Sequence, residues 1–351
     1  MRNFAAALIR WQKRHGRHHL PWQNTRDPYR VWLSEIMLQQ TQVTTVIPYY
    51  RRFLQRFPDL KSLARAGLNE VLILWSGLGY YARARNLQRA AQIICARHGG
   101  RFPRAFDDIL NLPGIGRSTA GAIGVFAFGA RRAILDGNVK RVLTRCFGIA
   151  GYPGEKKIEA KLWRRSEALL PARQIESYTQ ALMDVGATVC LRRKPLCAQC
   201  PLKSSCIAFK QNRIAQLPAP KPKKLVPRKY CHMLILLNKK EVLLERRAPA
   251  GIWASLWSFP EIEAPDEAGK FCARRFGARV SKAQFLPRLE HGFSHFQLSI
   301  QPLLLPVEAL NLQAREPGQM WLNLEDAQGA AVPAPVRKLL RQVSLLAHKE
   351  R

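Results

Sequence analysis

The sequence is poor in acidic residues and has no hydrophobic run long enough to cross a membrane. Its 351 residues include 24 Asp and Glu against 57 Lys and Arg, a formal net charge of +33 at pH 7. No apolar stretch reaches the roughly 20 residues that a spanning helix needs, and the N-terminal segment has no apolar signal core or cleavage site. These absences argue against a membrane or secreted protein, and the positive charge favours a polyanionic partner.

Acidic residues are missing altogether from Val185 to Lys240, and four cysteines lie in this region with the spacing C-x6-C-x2-C-x5-C. A zinc site is usually built from two tight pairs separated by a dozen or more residues, whereas only one tight pair occurs here. The spacing therefore favours a [4Fe-4S] cluster, with zinc as the alternative. The four cysteines are Cys190, Cys197, Cys200 and Cys206.

The first loop between these cysteines is basic, because it contains Arg192, Arg193 and Lys194. A metal centre that shapes a cationic loop suggests contact with nucleic acid, since an electron carrier would gain nothing from this charge.

The length predicts two domains. Residues 1–209 show helical periodicity, residues 210–229 form a basic, Pro-rich linker, and residues 230–351 combine short β-type runs with a closing helix. The fold class is therefore multidomain, an all-α body followed by an α+β domain. Predicted helices include one that begins at Asp27-Pro28 and runs to about Val46, and others near 59–75, 81–98, 105–111, 117–128, 137–149, 155–169 and 174–189.

The segment Leu112–Gly116, with the sequence LPGIG, lies between two predicted helices. Gly114 and Gly116 permit a tight turn whose backbone N–H groups can face a phosphate, and the helix that starts near Arg117 adds its dipole. The segment predicts a helix-hairpin-helix contact with DNA, although a plain turn is the alternative.

Two carboxylates are candidates for chemistry. Asp136 is either the N-cap of the following helix or a group directed into a cleft, and both can hold together. Glu35 has apolar neighbours on both sides, so it is either solvated on a thin polar stripe or partly buried, where desolvation favours its protonated form. Two carboxylates in unlike environments suit cleavage of a glycosidic bond.

Several motifs together resemble the MutY family of adenine DNA glycosylases in the helix-hairpin-helix superfamily, from about residue 4 to the end of the chain. The resemblance implies removal of adenine mispaired with 8-oxoguanine or guanine during base excision repair. It also implies a cleft between a six-helix part (about 22–130) and a cluster part (about 1–21 with 131–209). The motifs are LPWQ at 20–23, WLSEIMLQQTQV at 32–43, GLGYYARARNL at 77–87, LPGIGRSTAGAI at 112–123, ILDGNVKRVL at 134–143 and the four cysteines.

The resemblance assigns roles by motif. Glu35 matches the general acid that protonates adenine, Asp136 the carboxylate that stabilises the sugar cation, and Asn138 the residue that orients that carboxylate or the water. Gln40 and Tyr80 match residues that wedge beside 8-oxoguanine. Contacts with DNA or the lesion are further implied for Leu78, Gly114, Gly116 and Ser118.

Ser118 stands where the endonuclease III-like enzymes carry a nucleophilic lysine. Serine cannot form a Schiff base, so we expect a monofunctional hydrolase with at most weak nicking through Lys140. A bifunctional endonuclease III-like glycosylase and lyase is the alternative.

The C-terminal part resembles the MutT-like Nudix domain of the same family. Residues 267–277 lack the carboxylate-rich REUXEEXGU pattern, in which U is a bulky aliphatic residue, so we expect binding without nucleotide hydrolysis. Phe293, Ser294 and His295 match the family loop that contacts 8-oxoguanine, although a hairpin end with a core phenylalanine is the alternative.

The expected partner is duplex DNA carrying an A:8-oxoguanine or A:G mispair, with replication and repair proteins as further partners and no membrane. A monomer in the bacterial cytoplasm, associated with the nucleoid, is expected.

Overall fold

The computed structural model describes residues 2–222, 226–293, 295–311 and 318–349. The chain forms two compact units. The first comprises Met1–Ala66 and Asn86–Lys223, and the second joins Gly67–Arg85 to Lys224–Arg351. A short segment of the predicted helical body thus clusters with the C-terminal part. None of the described helices is long and apolar enough to cross a membrane.

Helices make up the chain as far as the linker. In chain order they are α1 (Arg2–His15), α2 (Pro28–Leu38), α3 (Val43–Arg56), α4 (Leu60–Arg65), α5 (Leu68–Trp75), α6 (Ala82–Arg97), α7 (Phe106–Leu110), α8 (Arg117–Phe128), α9 (Gly137–Cys146), α10 (Lys156–Ala168), α11 (Ile175–Asp184) and α12 (Ile207–Lys210), with a π-helix over Val185–Val189 and 3-10 turns at Cys197–Gln199 and Lys203–Ser205.

Helix α2 begins as predicted, because the Asp27 carboxylate accepts the Tyr29 N–H and Pro28 occupies the first turn. The prediction that this helix runs to Val46 is wrong. The helix ends at Leu38 and α3 starts at Val43, with Gln40 at a positive φ of 58° in the turn between them. The predicted helix over 59–75 is likewise divided, at Ala66 and Gly67, into α4 and α5.

The hairpin between α7 and α8 follows the sequence prediction. Gly114 has φ of +79°, and a Cβ atom added there would lie 2.9 Å from the Cβ atom of Asn86. Both the turn conformation and the close approach therefore require glycine. Helix α8 then starts at Arg117 with Gly116 as its N-cap.

The first unit has a core in which α1 packs on α11 and α2 on α8. Leu8, Val139 and Leu182 are buried together, so the N-terminal helix shares a hydrophobic cluster with α9 and α11. This packing holds the start of α9, where Asp136 lies, against a rigid surface.

The C-terminal part has the predicted α+β character, with a sheet in which the strands lie in the order β3 (Trp257–Ser258), β2 (Glu241–Arg246), β1 (Arg228–Asn238), β8 (Gln297–Leu310) and β5 (Ala278–Val280). Strand β1 runs parallel to β8 from Arg228 to Leu237, while the other pairings are antiparallel. The elements are β1 (Arg228–Asn238), β2 (Glu241–Arg246), β3 (Trp257–Ser258), β4 (Glu261–Ile262), α13 (Ala268–Phe276), β5 (Ala278–Val280), β6 (Gln284–Phe285), β7 (Leu289–Gly292), β8 (Gln297–Leu310), β9 (Gln319–Asn323), α14 (Leu324–Gly329) and α15 (Ala334–Lys349).

Helix α13 packs on this sheet through Ala268, Cys272 and Phe276. Its sequence, AGKFCARRF, contains no carboxylate. A helix without carboxylates cannot supply the oxygen ligands that Mg²⁺ requires.

Candidate active site

The first unit contains a cavity of about 500 Å³. Glu35 from α2 and Asp136 and Asn138 from the start of α9 all line it. The two carboxylates come from parts of the chain about a hundred residues apart. A cavity of this size accommodates a small organic ligand such as a purine base.

Glu35 faces the cavity, while its neighbours Ser34 and Ile36 are buried. Burial and, as the smaller cause, the nearby Asp136 carboxylate together raise the pKa of Glu35 to about 8. Of the two environments that the sequence left open, the structure has the partly buried one. Glu35 is therefore protonated at neutral pH and can donate that proton.

Asp136 both caps a helix and faces the cavity. One carboxylate oxygen accepts the Val139 N–H at 2.8 Å, and the other accepts from Asn138 Nδ2 at 3.4 Å. Burial raises the pKa of Asp136, but these hydrogen bonds and the charge of Arg141 oppose the rise. No such opposing cause acts on Glu35. The hydrogen bonds and the Arg141 charge therefore favour the ionised form of Asp136, and burial favours the protonated form of Glu35.

The four predicted cluster cysteines line one small cavity, together with Arg145 and Lys203. None of the four forms a disulfide bond. Burial and the charges of the other three cysteines, opposed by a hydrogen bond from the Leu202 backbone, together raise the pKa of Cys200 to about 11. Among the described residues, no group of three or more His, Cys, Asp or Glu side chains is placed to hold a metal ion. The cavity that the four thiols line is the candidate site for a metal centre.

Buried Arg145 ties the cysteine segment to α9. Its guanidinium donates to Cys190 Sγ at 3.4 Å, to the Leu191 carbonyl at 2.6 Å and to the Leu217 carbonyl at 2.8 Å. These charge-assisted hydrogen bonds hold both ends of the segment.

The predicted lesion contacts show unusual backbone geometry. Gln40 and Tyr80 have positive φ values of 58° and 49°, and both side chains are exposed, Tyr80 to 54%. Non-glycine residues in this region are strained, and such strain clusters at functional sites. Leu78, by contrast, is buried.

In the C-terminal part, Phe293 and His295 belong to a group of aromatic rings. Phe293 stacks on Phe296 with the centroids 4.4 Å apart, and His295 lies edge-on to Phe296 at 4.8 Å. The predicted contact Ser294 lies outside the described residues. His295 is exposed, Phe293 is half-buried and Phe296 is buried, so the group combines a core ring with rings that solvent can reach.

Comparisons with known proteins agree with this geometry. Residues 33–168 match the model of the HhH-GPD superfamily base excision DNA repair proteins, and residues 232–342 match the NUDIX domain. The adenine DNA glycosylase of Buchnera aphidicola subsp. Baizongia pistaciae is 39% identical over 97% of this chain and 96% of its own length. The chain belongs to the adenine DNA glycosylase family.

The mouse adenine DNA glycosylase is 33% identical over 96% of this chain and 77% of its own length. A solved thermostable thymine-DNA glycosylase matches with a TM-score of 0.55 and 30% identity, over 60% of this chain and 96% of that one. The family and the fold class predicted from the sequence are confirmed.

Within this family member, Ser118 has a structural partner. Its Oγ atom accepts the Leu135 N–H at 2.9 Å, next to Asp136 in the chain. The hydroxyl therefore connects α8 of the hairpin to the segment that carries the catalytic candidate. Gly114 contributes its carbonyl, which accepts from Gln39 Nε2 at 3.4 Å.

The sequence did not predict other residues that line the cavity of Glu35 and Asp136. Trp22 lines it, and Arg26 forms an ion pair with Glu176 at 2.8 Å on its wall. Trp22 lies within the LPWQ motif, so a local signal existed, and its ring lies edge-on to Tyr50 at 5.4 Å. Arg26 and Glu176 are far apart in the chain, and no local pattern marks their pairing.

Asn138 is held from two sides. Arg141 Nη2 donates to Asn138 Oδ1 at 2.8 Å and to the Gly186 carbonyl at 2.7 Å, while Arg141 Nε donates to the Cys190 carbonyl at 2.7 Å. Gly186 lies in the π-helix, and a Cβ atom added there would lie 2.6 Å from Asn138 Cβ. This local π-helix, a feature often found at functional sites, brings backbone directly against the residue that touches Asp136.

Replacing Gly186 with Ala should therefore displace Asn138 and disturb Asp136. We expect the single-turnover excision rate to fall by about 100-fold, because a misplacement near 1 Å at a reacting group costs this much. Gly124→Ala is the matched control, since a Cβ atom in that helix meets only Ala130 Cβ at 3.5 Å and Arg132 Cγ at 3.8 Å. An unchanged rate in Gly186→Ala would mean that the π-helix yields without affecting the site.

Proposed function

We propose that this chain hydrolyses the N-glycosidic bond of adenine mispaired with 8-oxoguanine or guanine in duplex DNA. The observation that carries the proposal is the pair of carboxylates in one cavity, Glu35 with its pKa raised to about 8 and Asp136 held by hydrogen bonds to Val139 and Asn138. Membership of the adenine DNA glycosylase family indicates that adenine is the base removed, and the pair of carboxylates indicates how its glycosidic bond is cleaved.

In the proposed reaction, the Glu35 carboxyl gives its proton to N7 of adenine. The bond between C1′ and N9 then breaks, and its electron pair leaves with the base. Ionised Asp136 stabilises the positive charge on the sugar, and Asn138 holds that carboxylate in place. Water adds to C1′, and its proton passes to the Glu35 carboxylate, which restores the starting state.

Monofunctional hydrolysis is supported by the side chain at position 118. A lyase needs an amine nucleophile there, whereas Ser118 accepts a backbone hydrogen bond from Leu135. Lys140 is an amine that lies near the site in sequence, and its Nζ atom forms an ion pair with Glu159 at 2.7 Å. Both observations disfavour the bifunctional alternative.

Adenine is a normal base, so an adenine pocket alone cannot identify a mispaired one. We propose that the opposite base is sensed by Gln40, Leu78 and Tyr80, and by Phe293, Ser294 and His295 of the C-terminal part. The glycines of the hairpin, Gly114 and Gly116, would hold the DNA backbone through their N–H groups.

The test is single-turnover excision on duplexes that place adenine opposite 8-oxoguanine, guanine or thymine, with cytosine opposite 8-oxoguanine as the substrate control. We expect release of adenine opposite 8-oxoguanine and guanine only. Borohydride is added in parallel, because efficient trapping of the protein on DNA would identify the bifunctional lyase. Failure to release adenine from any of these duplexes would overturn the proposal.

We propose further that Cys190, Cys197, Cys200 and Cys206 hold one [4Fe-4S] cluster. Four thiolates around one cavity are the donor set that such a cluster takes, and Arg145 already donates to Cys190 Sγ. When bound, the cluster would cross-link the segment that presents Arg192, Arg193 and Lys194. These residues would then meet phosphates as a shaped, basic loop.

The purified protein should accordingly be brown, with about four irons per chain and broad absorbance near ~400 nm, as four-thiolate ligation implies. Cys200→Ser should lower the iron content and the absorbance, whereas Cys95→Ser, at a half-buried thiol outside the cavity, should change neither. A colourless protein with stoichiometric zinc would contradict this assignment and favour the zinc alternative.

A further inference from the structure

A short turn in the second unit has an unfavourable backbone conformation at two non-glycine residues. Trp253 has φ of 55° and Ser255 has φ of 62°. The Trp253 side chain is 9% exposed despite its size. A bulky residue is rarely found at positive φ, and it stays there only when surrounding contacts hold it.

On one side, this turn contacts the aromatic group that includes Phe293, a residue proposed to contact the base opposite adenine. The Trp253 ring lies 5.5 Å from Phe293 and 5.7 Å from His291. Phe293 is itself stacked on Phe296. Trp253 therefore packs against Phe293 within the same group of aromatic rings.

A cation holds the Trp253 ring as well. The guanidinium of Arg247 lies 5.7 Å from the ring centroid and is fixed by an ion pair with Glu261. The ring orientation thus depends on Arg247, which directly follows β2, and on Glu261 of β4.

The other side of the turn contacts the segment that carries Tyr80. Arg85 Nη1 donates to the Ala254 carbonyl at 2.9 Å, and Trp257 Nε1 donates to Asn69 Oδ1 at 3.2 Å. Both Arg85 and Asn69 belong to Gly67–Arg85, which clusters in the second unit. The turn is thus hydrogen-bonded to the segment that carries one proposed lesion contact, Tyr80, and packed on the other, Phe293.

We infer that Trp253 is a positioning residue for recognition of the base opposite adenine. Its ring orients Phe293, and the turn that it anchors sets the spacing between Phe293 and the Tyr80 segment. The inference rests on the proposed function. Since Trp253 is not in the cavity of Glu35 and Asp136, it acts on lesion preference and not on the chemical step.

The physical reason is preorganisation. A recognition group that is held in its binding geometry before DNA arrives loses less conformational freedom on binding. Without the Trp253 ring beside it, Phe293 would have to adopt its binding geometry while the DNA binds. The cost falls on the 8-oxoguanine duplex, whose extra contacts depend on this geometry.

The experiment uses the full-length, cluster-bearing protein with Trp253→Leu and Trp253→Phe. Leucine keeps apolar volume but removes the ring, and phenylalanine restores a ring. The readout is the ratio of single-turnover rates, with dissociation constants, for adenine opposite 8-oxoguanine and opposite guanine. We expect the ratio to fall about tenfold in Trp253→Leu, the effect of losing one or two aromatic contacts, and to recover in Trp253→Phe.

Phe285→Leu is the matched control, because this aromatic residue of the same unit is 60% exposed on β6. It should keep the wild-type ratio. If Trp253→Leu does not fold, Arg85→Gln replaces it, since this change removes the hydrogen bond to Ala254 from the other side and should lower the same ratio.

Two results would overturn the inference. A folded Trp253→Leu with the wild-type ratio would show that Trp253 does not affect recognition, and equal losses on both duplexes would show a merely structural role. Absence of any 8-oxoguanine preference in the wild-type protein is a separate outcome, because it would remove the lesion specificity of the proposed function itself.

Discussion

Replacement of Glu35 by Gln is expected to lower the single-turnover rate of adenine release by about 10²–10⁴-fold, the contribution of a positioned general acid. Glutamine keeps the shape and polarity of the side chain, so affinity for the mispaired duplex should stay nearly unchanged. The loss follows because the amide has no proton to give to the leaving base. The measurement pairs single-turnover kinetics with duplex binding on the same preparation.

The matched control is Glu155→Gln, the same change at an exposed residue in the N-cap position of α10, where the side chain makes no capping hydrogen bond. It should excise adenine at the wild-type rate. A Glu35→Gln protein that retained the wild-type rate would end the assignment of Glu35 as the acid.

The pH dependence gives the same assignment a second test. Burial and the Asp136 charge raise the pKa of Glu35 to about 8, so the acid form is present at neutral pH and is lost as the pH rises through that value. The excision rate should therefore fall on the alkaline side with a midpoint near 8. In Glu35→Gln this alkaline limb should be absent from the residual rate, whereas an unchanged limb would assign it to another group.

Replacement of Asp136 by Asn should reduce the rate by about 10²–10³-fold, as removal of a charge or donor aimed at the transition state does. Asparagine is as good an N-cap as aspartate, so it can still accept the Val139 N–H and keep α9 intact. The substitution therefore removes the negative charge and leaves the helix start in place. Circular dichroism and thermal melting report the fold, and single-turnover kinetics report the chemistry.

Asp59→Asn is the control, because Asp59 caps α4 through the Ser62 N–H and lies outside the cavity. It tests whether loss of a capping carboxylate alone impairs the enzyme. Equal activity of Asp136→Asn and the wild-type protein would mean that the sugar cation is stabilised by another group.

Local features of this protein could be predicted from its sequence because their causes lie within a few residues. The Asp27-Pro28 start of α2, the hairpin glycine Gly114 and the spacing of the four cysteines depend on backbone conformation and short loops. The order of the motifs along the chain also predicted the family and the fold class. Prediction failed where a helix had to stop without a strong breaker, as at Gln40, whose positive φ is imposed by the turn around it.

The sequence by itself determined which residue types are available, namely two carboxylates in dissimilar surroundings, a thiol set and an excess of positive charge. Only the tertiary structure decided what they do. It brought Glu35 and Asp136 to one cavity, paired Arg26 with Glu176, set Gly186 against Asn138 and clustered Gly67–Arg85 with the C-terminal part. The reason is that desolvation and charge coupling depend on every neighbour in space, and most of those neighbours are distant in the chain.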